Sequence, residues 1–281
     1  MKNQEIAQLF FEEFLGEKAT AFLALPQSGS ARMNFIGKSS NETYVITYNE
    51  NLLENEAFFY FTQVFSDLKL NTPQIFKINE ERKLYIQEFL GEKTLSEIIA
   101  LEGESERVKS LVKQTLKHLF ELQEKTQNKI DFSKTFEYEK YDELPITHDL
   151  YYFKNYLIDI LELPYHKSTL LKEFNKIVQK IENLAPKSLM IRDFQARNIL
   201  VNDQDEVFFI DYQAAMKGPA LYDVVSFLFQ AKANFSENFK NEMLEYYFSF
   251  HPSEQRNELE KSLKYCKMIR FIQVLGAYGF R

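Results

Sequence analysis

The spacing of apolar residues changes once along the chain, and that change restricts the fold more than any other feature. Ile6, Leu9, Phe10, Phe14 and Leu15 recur three and four apart and end at Gly16, which predicts a short opening helix over residues 4 to 16. Three β-rich stretches follow, at residues 21 to 25, 32 to 37 and 43 to 48, parted by the turn formers SGS and KSSNE. They read as an antiparallel meander. LLENEAFFYFTQVFSDLKL has helical spacing, and TPQIFKIN and RKLYIQEFLG supply two further strands. From TLSEIIALEG the pattern is helical as far as Asn183, with a polar break at residues 125 to 148. It is helical again from Tyr222 to Phe250 and from Glu254 to Leu275. The predicted class is α+β and bilobal: a small antiparallel-β lobe over residues 1–90 and a larger, mainly helical lobe over residues 91–281, with the junction near Gly91. Only 8 Gly and 7 Pro among 281 residues leave such elements uninterrupted, and a 45% hydrophobic content supplies their core.

Charge narrows the partners. A formal net charge of −7 and a pI near 5.4, with no Lys/Arg cluster, argue against a nucleic-acid footprint. The single cysteine, Cys266, excludes an internal disulfide and offers no CxxC metal spacing, so it reads as a buried structural thiol in a reducing compartment. MKNQEIAQLFFEEFLG is amphipathic and acidic, unlike a secretory signal, and no apolar run approaches the roughly 18 residues of a membrane span. The expectation is a cytoplasmic protein with no membrane partner.

The chemistry concentrates in MIRDFQARNILVNDQDEVFFIDY, residues 190 to 212. If Ile199–Val201 and Val207–Ile210 are antiparallel strands joined by NDQDE, Asp193 enters the first strand and Asp211 leaves the second, so the two carboxylates converge with Asn198 beside them. Two carboxylates and an amide oxygen are hard donors, suited to magnesium holding nucleotide phosphates. One aspartate then accepts the proton of an attacking hydroxyl, while the asparagine and the second aspartate hold the metal; the catalytic loop of protein kinases has the same Asp-to-Asn spacing. Asp203 and Asp205, within the turn itself, read as turn formers.

At these residues the chain resembles the aminoglycoside phosphotransferase and choline kinase superfamily, protein-kinase relatives that phosphorylate small molecules. IRDFQARNILV resembles that family's catalytic loop, IDYQAA its metal-binding segment and GPALYDVVSFL the helix start that follows. The resemblance implies ATP and Mg2+ as cofactors, Asp193 as catalytic base, Asn198 and Asp211 as metal ligands, and Asp223 as an acid bracing the catalytic loop. Arg192, where aminoglycoside kinases usually carry glycine, together with the RDF, IDYQAA and PALYD runs, resembles bacterial anomeric kinases of N-acetylmuramate and N-acetylglucosamine in cell-wall sugar recycling. That points to a sugar substrate. Arg197, four after Asp193, either orients the substrate hydroxyl or binds a phosphate, a surface ion pair being the alternative.

The same resemblance assigns the nucleotide's surroundings. Ser28, Gly29, Ser30 and Arg32 fall where the phosphate-covering loop belongs, and YIQEFLG falls where an interlobe hinge pairs with adenine near Glu88 and Phe89. The strand lysine that the superfamily sets against the α and β phosphates is missing, because YVITYN has Thr47 and Tyr48. Arg32 or Lys38 is the substitute, with Glu54 or Glu56 as its helix acid. For the acceptor, Tyr141, Asp142, His148 and Asp149 supply hydroxyl-binding groups, although Asp149 equally suits a cap on a helix starting at Leu150. Two further readings stay open: a kinase of an aminoglycoside or choline-like alcohol, and a non-catalytic nucleotide-binding pseudokinase module. The apolar ending RFIQVLGAYGFR suits a further C-terminal domain or a partner.

Overall fold

The computed structural model describes residues 2–26 and 31–280. Helix α1 (Lys2–Leu15) precedes β1 (Ala21–Ala24), β2 (Met33–Lys38) and β3 (Thr43–Tyr48), and α2 (Leu52–Asp67) leads to β4 (Ile75–Ile78) and β5 (Leu84–Glu88). These strands form one antiparallel sheet in the order β1-β2-β3-β5-β4. Side chains alternate across it as a period of two demands. Leu84 and Ile86 of β5 join Phe35 and Ile46 beneath Ala7, Phe10 and Phe11 of α1, whereas Tyr85 points the other way, onto Phe58 and Phe59 of α2. Phe11 comes so close to the sheet that a Cβ on Gly37 would lie 2.5 Å from its ring. Glycine is what lets the helix seat there.

Beyond the sheet a short strand, β6 (Lys93–Thr94), opens a mainly helical part: α3 (Leu95–Glu102), α4 (Glu106–Lys125), α5 (Glu143–Phe153) and α6 (Lys167–Ile181). Next come β7 (Lys187–Met190), β8 (Ile199–Val201), β9 (Val207–Phe209) and β10 (Met216–Pro219), and then α7 (Leu221–Leu228), α8 (Glu237–Phe248) and α9 (Ser253–Phe280). The β8–β9 hairpin expected from ILV and VFFI is present, and β6 pairs with its outer edge. Asp205 takes a left-handed φ of 58° in the connecting turn, as its turn chemistry requires. The antiparallel sheet followed by a helical part is the predicted bilobal class.

Two local expectations need correction. The polar break ends earlier than its composition implied: α5 starts at Glu143 because Asp142 caps it, accepting from Leu144 N–H, and Pro145 sits in the first turn, where no helical hydrogen bond is lost. Asp149 therefore lies inside α5 and caps nothing. The helical run from Tyr222 to Phe250 is two helices, parted where Asn234 adopts a left-handed φ of 47°. β10, which has no counterpart among the expected strands, pairs with β7 through Met216 to Pro219. Cys266 is buried on α9, where burial pushes its thiol pKa up to about 12, and no disulfide forms.

The passage from sheet to helices turns on Gly91, whose φ is +123° and where an added Cβ would lie 3.0 Å from the Val201 carbonyl oxygen. Gly91→Ala is expected to lower the urea-unfolding free energy by about 1–3 kcal/mol. Gly16→Asn, where φ is +72° with nothing within 4 Å of an added Cβ, is expected to cost less than about 1 kcal/mol in the same measurement.

Candidate functional site

The loop between β7 and β8 is fixed from below by one carboxylate. Asp223, fully buried on α7, accepts the Ile191 N–H at 2.6 Å and the Arg192 N–H at 3.0 Å. Between them the chain reverses tightly: Asp193 N–H donates to the Ile191 carbonyl at 3.0 Å and Arg192 takes a φ of 74°, a three-residue turn of the uncommon positive-φ kind. Burial raises the pKa of Asp223 to about 7, opposed by those two main-chain donors.

Arg192 holds the turn from the opposite side. Its guanidinium, nearly buried, pairs with Asp149 at 3.1 Å and with Glu137 at 3.3 Å, and Tyr141 O–H donates to the other oxygen of Asp149 at 2.7 Å. Tyr141 and Asp149 are thus buried and spent on each other and on Arg192, which gives them a structural task instead of the expected acceptor contacts. Asp142 is spent as the α5 cap. His148 is exposed, its ring 6.3 Å from that of Tyr152.

Three residues of the expected constellation do meet. Asn198 donates through Nδ2 to the Asp193 main-chain carbonyl at 2.9 Å and to the Asp211 carboxylate at 3.2 Å. The Asp193 side chain is 43% exposed and reaches outward from the loop. Asp211 adopts a φ of 66°, a conformation aspartate tolerates better than most residues. The twist is held by its neighbour: Tyr212 is buried, stacks on Phe58 of α2 with centroids 5.1 Å apart, and bonds Thr62 through its hydroxyl at 2.7 Å. The metal-ligand candidate is thereby tied to the N-terminal half.

Arg32 reaches the same carboxylate from the sheet side. Its Nη2 donates to Asp211, and its Nε lies 3.4 Å from Glu54 of α2. Of the alternatives, Glu56 pairs with Arg82 on the surface and Lys38 ends β2 at the far side of the strand. Thr47, at the strand position where the resemblance expected lysine, is buried and engaged by Asn34 at 2.7 Å and Gln87 at 3.1 Å. For Asp211, burial acts to raise the pKa, but the Arg32 charge and the hydrogen bonds from Gln213 and Arg32 outweigh it and leave the group below its ordinary value. Arg197 is exposed, near enough for its charge to add to that lowering.

At the hinge, Glu88 N–H is taken by the Gln74 carbonyl at 2.9 Å, and Phe89 leaves the strand half-buried. Among the described residues none hydrogen-bonds to the main chain of Phe89. Ser28, Gly29 and Ser30 lie outside the described residues.

A loop of this build, with an outward carboxylate, an amide bridge and a second carboxylate under a β-sheet, is matched by a family model described as the phosphotransferase enzyme family, over residues 25–257. The chain belongs to that family. Solved structures similar to it include choline kinase LicA from Streptococcus pneumoniae, with a TM-score of 0.62 and 12% identity over 100% of this chain and 96% of that one. The gentamicin complex of APH(2")-IIa gives 0.62 and 19% over 97% and 95%, and an ethanolamine kinase from Plasmodium vivax gives 0.58 and 16% over 90% and 74%. Identities this low establish a shared fold. No curated protein matches the sequence. Among the described residues no helix is long and apolar enough to cross a membrane.

Sequence reasoning missed Arg192's structural partnership, the Tyr212 anchor and a buried arginine on α9, Arg270, which lies 3.9 Å from Asp193. Nothing in their local sequence marks them, since each acts on an element distant along the chain.

Two outcomes follow from this geometry. Arg192→Met leaves Asp149 buried and unpaired and is expected to cost about 3–5 kcal/mol in denaturant unfolding, much of it recovered when Asp149→Asn is added. Because the folded pKa of Asp223 lies above its ordinary value, the folded state holds a proton that the unfolded chain has released between about pH 4 and 7. Its contribution is full below that window and lost as pH rises through about 7. Unfolding free energies measured between pH 5 and 8 should fall more steeply for the wild type than for Asp223→Asn, by about 3 kcal/mol at most.

Proposed function

We propose that the chain is an ATP-dependent kinase of a small hydroxylated molecule, transferring the γ-phosphate to a sugar hydroxyl, with the anomeric hydroxyl of an N-acetylated amino sugar as preferred acceptor. The observation that carries the kinase reading is the Asn198 amide joining the Asp193 loop to the Asp211 carboxylate at 2.9 and 3.2 Å. It sets a solvent-facing base beside an oxygen-rich cation site, which is what phosphoryl transfer to a hydroxyl requires. The preference for an amino sugar rests on the RDF, IDYQAA and PALYD runs.

In this reading Asp193 accepts the proton of the acceptor hydroxyl as the oxygen attacks. Asn198 gives its amide hydrogens to protein, which leaves Oδ1 as its donor to a cation, and Asp211 is the second ligand. The donor set fits Mg2+: hard oxygens only, a carboxylate already attracting the Arg32 cation, and among the described residues no cluster of three acidic, His or Cys groups that would hold a metal without help from phosphates. When bound with ATP, such an ion neutralises charge on the phosphates. Arg32, braced by Glu54, stands in for the strand lysine, and the main chain of Glu88 and Phe89 receives adenine. Arg197 orients the acceptor or a phosphate at the mouth of the site.

Thr47 favours a second reading. A buried threonine engaged by Asn34 and Gln87 where the superfamily has lysine suits a nucleotide-binding module without turnover. An acceptor panel separates the two: N-acetylmuramic acid, N-acetylglucosamine, choline, ethanolamine and an aminoglycoside, each with ATP and Mg2+. Turnover with a sugar, lowered by about 10²–10⁴-fold in Asp193→Asn while ATP binding persists, is the expected result. Nucleotide binding without transfer to any acceptor would favour the module. An acid-labile, alkali-stable product identifies an anomeric phosphate, and an acid-resistant one an ordinary alcohol ester. Arg32→Ala is expected to raise the KM for ATP by about 10- to 100-fold, and adding Thr47→Lys to restore part of the loss.

A further inference from the structure

Helix α9 presents Leu259, Ser262, Cys266 and Ile269 to the core, and on that same buried side it carries a full positive charge, Arg270, which is 5% exposed. A buried guanidinium is costly unless something compensates it. The neighbouring carboxylates are already committed. Asp149 serves Arg192 and Tyr141, and Asp223 spends both oxygens on the main-chain N–H groups of Ile191 and Arg192. Arg270 donates through Nη1 to Gln273, one turn further along its own helix, and its guanidinium carbon lies 6.0 Å from the centre of the Tyr222 ring. Among the described residues the ion pair it makes is with Asp193, Nη1 to Oδ1 at 3.9 Å.

That separation is informative. It is longer than a hydrogen bond, so the carboxylate keeps its lone pairs, yet within ion-pair range of a guanidinium that is itself buried. The cation approaches from the protein side of a carboxylate whose side chain is 43% exposed, which directs the remaining oxygen outward. The Asp193 backbone is set by the Asp223 brace and the Asn198 bond, neither of which reaches its carboxylate. We propose that Arg270 is a positioning residue for Asp193, aiming its carboxylate at the acceptor hydroxyl from the C-terminal helix. The proposal rests on the reading of Asp193 as the base.

The test is steady-state transfer from ATP to N-acetylmuramic acid and to N-acetylglucosamine, with the slow hydrolysis of ATP, water taking the acceptor's place, as the readout if neither sugar turns over. Arg270→Met is expected to lower kcat by about 100-fold, the penalty of a misplaced reacting group, with the KM for ATP and calorimetric ADP binding within about twofold of wild type. Arg270→Lys should recover about a tenth of the rate, and millimolar guanidinium should raise kcat in Arg270→Ala. If Arg270→Met fails to fold, Arg270→Gln carries the same comparison. Wild-type kcat in a folded Met or Gln variant, or a loss that appears equally in ADP binding, overturns the proposal. Retention of the wild-type rate in Asp193→Asn would instead overturn the base assignment on which it rests.

Discussion

The loop that carries Asp193 hangs on one buried carboxylate. Asp223 is fully buried and gives its two oxygens to consecutive main-chain N–H groups, those of Ile191 and Arg192. Those bonds satisfy oxygens that burial would otherwise leave unpaired, and they hold the reversal that takes Arg192 through a positive φ. The placing of the Asp193 backbone is thus a consequence of where α7 lies. Arg192 then completes the arrangement from the opposite side, since its guanidinium is the counter-charge for Asp149 within α5. Loop, α5 and α7 form a single electrostatic unit, and disturbing one member exposes an unpaired charge in another.

The second half of the site is governed by an aromatic side chain. Tyr212 is drawn between Phe58 and Phe65 of α2, and its burial overcomes the backbone cost of a left-handed Asp211. The carboxylate consequently faces the sheet, where Arg32 meets it while also pairing with Glu54. Sheet and helices are joined at this point by apolar packing and by charge together. The strand lysine that the resemblance implies is absent from β3, but Arg32, just before β2, is a cation paired with a helix acid, Glu54, and with Asp211, the proposed metal ligand.

How much of this could be read in advance depended on distance along the chain. The hairpin and its flanking residues were legible because Asp193, Asn198 and Asp211 lie within one short segment and ILV and VFFI fix its register. Strand and helix order was legible from hydrophobic period. The acceptor residues were not: Tyr141 and Asp149 look like sugar-binding groups in isolation, and only the arrival of Arg192, 43 positions after Asp149, turns them into a buried network. Arg270 was missed for the same reason, as its partner lies on another element. The start of α5 was obscured by a proline that sequence reasoning treats as a breaker but the first helical turn accommodates. The choice of Arg32 and Glu54 over Lys38 and Glu56 likewise needed the side chains in place.

The lone thiol has a practical consequence. Cys266 is sealed in the core and almost entirely protonated at neutral pH, so maleimide dyes will leave it untouched in the native state. Cysteines introduced in pairs, one on α2 and one on α8, would therefore accept a fluorophore each with no background from the native sequence. Any change in the separation of the two halves on adding a nucleotide then becomes a distance that single-molecule fluorescence can follow in an otherwise unaltered chain.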